Sequence, residues 1–164
     1  MTARLLMDTN PIRIHPSDTI GVAARKIMRR RYRSLPVVDD DRIFLGVVKV
    51  NRMLGIILPD NATQESIGVM SEVYSSLTLD DLRDRLDSIM DDPITNYIDK
   101  DVVTVAPETS LIETLLTMYH QERNLPVVNR ETGRLEGMIS YYDIGDLVLQ
   151  GGYSQPVRNQ SGSL

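Results

Sequence analysis

The chain repeats itself, and a tandem repeat constrains a fold more than any single motif, because both copies must build the same supersecondary unit. The stretch Asn10-Pro-Ile-Arg-Ile-His-Pro-Ser-Asp-Thr19 matches Asp101-Val-Val-Thr-Val-Ala-Pro-Glu-Thr-Ser110, which sets Pro16 against Pro107 at an offset of 91. Arg33-Ser-Leu-Pro-Val-Val38 matches Arg123-Asn-Leu-Pro-Val-Val128 at 90, and Gly46-Val-Val48 matches Gly137-Met-Ile139 at 91 again. One residue is lost between helix and strand and regained in the next turn, where loops absorb changes of length.

Each copy reads as short strand, helix, two strands and a closing helix. Ile12 and Ile14 alternate as a strand, Pro16 stops it, and Ser17 or Asp18 can cap the helix that follows. That helix carries Ile20, Ala23, Ala24, Ile27 and Met28 as one apolar stripe, and its counterpart carries Leu111, Leu115, Met118 and Tyr119. Leu35–Val38 and Leu125–Val128 read as buried strands with proline near the start, where its missing N–H is tolerated. Phe44–Val50 and Leu135–Ser140 return as hairpin partners, and helices follow near Asn51–Leu58 and Tyr142–Leu149. The organisation expected is therefore a repeat at 1–58, an insert at 59–93, a second repeat at 94–150 and a flexible, Gly- and Ser-rich tail at 151–164.

The insert is acidic. Ser76-Leu-Thr-Leu-Asp-Asp-Leu82 carries capping residues, and Leu79, Leu82, Leu86, Ile89 and Met90 recur at helical spacing. Such a helix either packs on its own core or offers a docking surface. Net charge is −5, yet residues 1–58 hold eleven basic against five acidic side chains. The only basic cluster, Arg29-Arg-Arg-Tyr-Arg33, reads as the solvated end of a helix more readily than as a nucleic-acid footprint. The absence of cysteine excludes disulfides and thiolate chemistry and points to a cytoplasmic setting, and two histidines are too few for most zinc sites. No apolar run approaches a membrane span.

These paired segments resemble the cystathionine-β-synthase (CBS) domain family, through Leu35-Pro-Val-Val-Asp39 with Gly46 in one copy and Leu125-Pro-Val-Val128 with Gly137-Met-Ile-Ser-Tyr-Tyr-Asp143 in the other. The resemblance implies an α/β (α+β) fold of two pseudo-symmetric CBS repeats, each β-α-β-β-α, packed as one unit and often dimerised. It also implies a regulatory, energy-sensing module that binds an adenosyl ligand between repeats, AMP, ADP, ATP or S-adenosylmethionine, with no catalytic cofactor. Such a module passes its signal to a client protein, because no effector domain lies within the 164 residues. The alternative is a dimerisation scaffold of the same fold that binds no nucleotide.

Ser140 leaves a strand and Asp143 falls in the first turn of the following helix, so both face that helix's N-terminal end. A carboxylate accepts from two ribose hydroxyls, and serine and aspartate are also common caps, so both roles stay open. By the family's geometry the opposite wall would be Asn10 and Ile12 with Tyr32, Arg33 and Ser34. At the matching positions of the first repeat stand Lys49 and Arg52, which cannot accept from a diol. The cleft they form with Asp101, Val103, Glu122 and Arg123 is expected to be empty, to take phosphate, or to be closed by ion pairs to Asp101 or Glu122 of little energetic value. Enzymatic motifs are missing: there is no P-loop, no HExxH, and no Ser-His-Asp set that the pattern brings together.

Overall fold

The structure, a computed structural model, describes residues 1–30, 33–58, 76–121 and 124–149. Tyr32, Glu122, Arg123, the first half of the insert and the tail lie outside the described residues. The elements in chain order are α1 (Ala3–Leu6), α2 (Ile20–Arg30), β1 (Ser34–Val38), β2 (Phe44–Lys49), α3 (Val50–Ile57), α4 (Leu79–Ile89), a 3-10 turn (Ile94–Tyr97), α5 (Leu111–Gln121), β3 (Leu125–Val128), β4 (Leu135–Ile139) and α6 (Tyr141–Leu149). The fold is mixed α+β, with two repeats of the same grammar. It divides into two compact units: a first of Ile12–Val102, and a second of Met1–Pro11 with the chain from Val103 onward.

Each unit is built on an antiparallel hairpin. In the first, β1 pairs with β2 from Ser34↔Lys49 to Val38↔Phe44, and in the second, β3 pairs with β4 from Leu125↔Ile139 to Val128↔Leu135. Both slip register at the same place, after Val37 and after Val127. The turns use the same chemistry: Asp39 Oδ1 accepts from the amides of Asp41 and Ile43, and Asn129 Oδ1 from those of Glu131 and Thr132. The left-handed residue of each turn is Arg42 at φ 65° and Gly133 at φ 71°, again 91 apart. The strand expected at Ile12–Ile14 shrinks to a single parallel bridge, Ile14 to Val37, matched by Val105 to Val127. Pro36 and Pro126 have no N–H, but their carbonyls accept from Ile14 and Val105, so the sheet gains a third chain where proline still offers an acceptor.

The compact units do not follow the linear repeats. Ala3 and Leu6 of α1 are buried with Val105, Met118, Leu125, Val127 and Ile139 in the second unit. The 3-10 turn, 91 residues later, supplies Ile94 to the first unit's core of Ile14, Ile20, Ala23, Ile27, Leu35, Val37, Val48 and Met53. Backbone bridges come in the same symmetric pairs: Thr2 with Ser110 and Pro93 with Thr19, Asp8 with Met138 and Asp99 with Val47. The segment that precedes each repeat in sequence is thus bonded to the other repeat's helix and hairpin.

Several residues differ from the sequence reading. Thr19, not Ser17 or Asp18, caps α2, its Oγ1 accepting from the Val22 amide, while Asp18 accepts from the His15 amide and from Lys26. Met28 and Tyr119, placed on the buried stripes, are 67% and 74% exposed. On α5 Thr114 is fully buried along with Met118, and its hydroxyl donates to the Ser110 carbonyl and so enters the core already satisfied. The α4 helix forms as expected, with Thr78 and Asp81 in a reciprocal capping box. Its stripe is only half-buried at Leu82, Leu86, Ile89 and Met90, and Leu79 is exposed. It lies along α3, and Met90 accepts from the Gly21 amide at the start of α2.

Candidate functional site

In the second unit β4 ends at Ile139 and α6 begins at Tyr141, leaving Ser140 between them. Ser140 donates to Asp143 Oδ2 from its amide (2.8 Å) and its hydroxyl (2.6 Å), and the Asp143 amide returns a bond to Ser140 Oγ (3.2 Å). This is a capping box, with Asp143 buried at 9% exposure in the first helical turn. A buried carboxylate needs donors, and here they come from the residue three positions earlier. The carboxylate lies beside the helix start, where backbone N–H groups favour negative charge.

In the first unit the equivalent junction is Lys49 and the start of α3. Lys49 occupies the N-cap position without capping, since an ammonium has no acceptor. It forms an ion pair with Asp99 instead, and neither side chain is well exposed, at 14% and 26%. The partner of Lys49 is thus Asp99 and not Asp101, while Glu122, the other carboxylate expected to pair with Lys49 or Arg52, lies outside the described residues. Val47 and Asp99 exchange both backbone bonds (2.8 and 3.0 Å), and Lys49 lies two residues further along the same face of β2, so Asp99 is the carboxylate within reach. Asp101 is exposed, and its amide donates to Asp99 Oδ1. A pocket of about 530 Å³ opens here, lined by Lys49, Asn51, Arg52 and the four residues Ile98–Asp101.

The other candidate residues fall as follows. Asn10 belongs with Ser140 and Asp143 in the second unit, exposed, its amide donating to Asp8 Oδ1. Ile12, Arg33 and Ser34 belong to the first unit. There Ile12 packs on the core, Ser34 pairs with Lys49, and the Arg33 carbonyl accepts from the Val50 amide, beside the Lys49 junction. Val103 is exposed in the second unit. Sequence reasoning missed Asp99 and its counterpart Asp8, which holds Met138 by the same pair of backbone bonds. The signal was present, since Asp8 and Asp99 are 91 apart, two residues upstream of where the repeat was first aligned.

The structure also brings together a Ser-His-Asp set that the sequence pattern did not. His15 Nδ1 lies 2.6 Å from Ser17 Oγ and Nε2 lies 3.3 Å from Asp40. Asp40 is 96% exposed, and the Ser17 amide also points at Nδ1, so the group is a solvated turn without a held, desolvated carboxylate to orient the ring. Among the described residues no three His, Asp or Glu side chains cluster as metal ligands, and no helix is long and apolar enough to cross a membrane.

Two hairpins, each flanked by helices and each bonded to the segment that precedes the other repeat, define a tandem α+β repeat. The chain belongs to the CBS domain family, which it matches over residues 3–59 and 94–149. Its fold is that of CBSX2 from Arabidopsis thaliana, solved in complex with AMP, at 21% identity, a TM-score of 0.65, and coverage of 91% of this chain and 96% of that one. It is also that of an acetoin utilization protein (AcuB) from Vibrio cholerae, at 22% identity, a TM-score of 0.66, and coverage of 95% and 98%. An inosine-5′-monophosphate dehydrogenase from Aquifex aeolicus is 24% identical over 161 residues, 96% of this chain, but the chain spans only 26% of that relative's length.

Proposed function

We propose that this chain is a regulatory CBS-pair protein, not an enzyme, that binds an adenosyl ligand through Ser140 and Asp143 and signals to a partner protein in the cytoplasm. The observation that carries the reading is Asp143: a buried carboxylate in the first turn of α6, already accepting two hydrogen bonds on one oxygen. The two hydroxyls of a ribose are donors of the kind that this carboxylate already accepts from. The fold shared with an AMP-bound CBS-pair protein supports the same class of ligand, AMP, ADP, ATP or S-adenosylmethionine.

Self-association fits the second unit's surface. Ile112, Leu116 and Tyr119 stand exposed at i, i+4 and i+7 on α5, and Tyr142, Val148 and Leu149 are exposed on α6, apolar side chains that a homodimer would cover. A scaffold that binds no nucleotide is favoured by one observation: the capping box satisfies Ser140 and Asp143 without a ligand.

Calorimetry with AMP, ATP and S-adenosylmethionine separates these readings. Asp143→Ala is expected to weaken binding roughly ten- to a hundredfold, the loss of about 1.5 to 3 kcal/mol for hydrogen bonds to a charged group, whereas Arg52→Ala leaves AMP binding unchanged. The reverse order removes the site from Asp143. No binding by the wild-type protein at about 1 mM ligand, an affinity weaker than about 4 kcal/mol, establishes the scaffold.

A further inference from the structure

The first unit carries two exposed stripes of opposite charge on α2 and α4. On α2, Arg25, Met28 and Arg29 stand exposed at i, i+3 and i+4. On α4, Asp80, Asp84 and Asp87 stand exposed at i, i+4 and i+7, and Asp91 continues the same line just past the helix end. We propose that these stripes form a docking surface for a second copy of this chain, with α2 of each copy lying against α4 of the other.

The charges are open to such a partner. Arg25, Arg29, Asp84, Asp87 and Asp91 make no side-chain hydrogen bond or ion pair among the described residues, whereas Asp80 is taken by Arg83, and Lys26 by Asp18 and the Arg13 carbonyl. Both stripes also belong to one surface. The Ile20 and Gly21 amides at the start of α2 donate to the Asp92 and Met90 carbonyls at the end of α4, and the Arg25 guanidinium and Met90 both flank Gly21. A cationic stripe therefore begins where an anionic one ends. Such a surface is self-complementary about a twofold axis, which sets each stripe against its opposite twice over. Met28, 67% exposed between the two arginines, adds an adaptable apolar contact. The opposing charges are Arg83 and Arg85, exposed on α4 but off the acidic line. Exposed pairs are individually weak and screened by salt, so the contact is weak and salt dissolves it. It uses no side chain of α5 or α6 and does not depend on the adenosyl reading.

Sedimentation of the full chain at about 0.5 mM, a concentration suited to weak association, reads the contact. The mass is expected to rise at least about twofold when salt falls from about 500 mM to about 50 mM and screening is withdrawn. Arg25→Glu with Arg29→Glu is expected to abolish that rise, and so is Asp84→Arg with Asp87→Arg. An equimolar mixture of these two variants is expected to regain it, because each then meets the opposite charge on both helices. A variant that had merely failed to fold would not be rescued in this way. Leu116→Glu with Tyr119→Glu, which removes self-association through α5, is expected to keep the rise and to stop at a dimer. The proposal is overturned if the wild-type mass does not respond to salt, if either charge-reversed variant alone still rises, or if their mixture does not. Loss of the rise in the α5 variant, or its growth past a dimer, overturns the twofold pairing of α2 with α4 as well.

Discussion

Gly46 lies against Asp99 so closely that a Cβ at residue 46 would stand 2.4 Å from the Asp99 carbonyl oxygen, and Gly137 repeats the relationship with Asp8 at 2.6 Å. Both glycines let a separate segment cross the hairpin and exchange backbone bonds with the next residue, Val47 or Met138. Gly46 adds a φ of 138°, a conformation that L side chains rarely adopt. The glycine of the repeat motif is therefore the seat of the segment that runs ahead of the other repeat.

Alanine at either position is accordingly expected to destabilise its own unit by about 1 to 3 kcal/mol, the scale of overpacking against atoms that cannot move. Gly46→Ala should cost more than Gly137→Ala because the obstacle is joined by an unfavourable φ. Urea unfolding of the two variants checks the order.

The crossing of segments makes a prediction about truncation. Removing residues 1–8 takes Ala3 and Leu6 from the second unit's core and breaks the bridges to Ser110 and Met138. Hydrogen exchange is expected to lose protection across 105–149 while 14–57, nearer in sequence, keeps it. The equivalent core position in the first unit is Ile94, fully buried, and Ile94→Ala should cost about 2 to 5 kcal/mol there.

Because both partners are largely withdrawn from water, the Lys49–Asp99 pair is expected to couple more strongly than an exposed one. Lys49→Met removes the cation paired with Asp99, so the single change should destabilise more than Lys49→Met with Asp99→Asn. A double-mutant cycle should return a coupling of about 1 to 2 kcal/mol; a value near zero would show the pair to be solvated.

Asp81 has its carboxyl held below the ordinary value of 3.8, first by the Thr78 hydroxyl and then by the Thr78 amide, opposed by desolvation, with Arg85 the weakest contribution. A lowered folded pKa means that the cap's contribution is complete above 3.8 and is lost as pH falls through the folded value. An NMR titration should place the Asp81 midpoint below 3.8, and Thr78→Ala should move it back up with loss of helix at the start of α4.

Local signals in this chain were strong wherever chemistry is local. The turns at Asp39 and Asn129, the hairpins after each proline, the α4 cap and the pairing of Ser140 with Asp143 follow from residues a few positions apart, whose bonds form whatever the rest of the chain does. The repeat offset carried further, since it set Lys49 and Arg52 at the places of Ser140 and Asp143 before any contact was known. What the tertiary structure decided is which face of each helix is inside and which carboxylate meets which cation. Met28 and Tyr119 obey the helical spacing yet point outward, because burial depends on what packs opposite, not on period. Asp99 reaches Lys49 from 50 residues away because two backbone bonds at Val47 hold it there, and the segment that supplies it belongs, by sequence alone, to the other repeat.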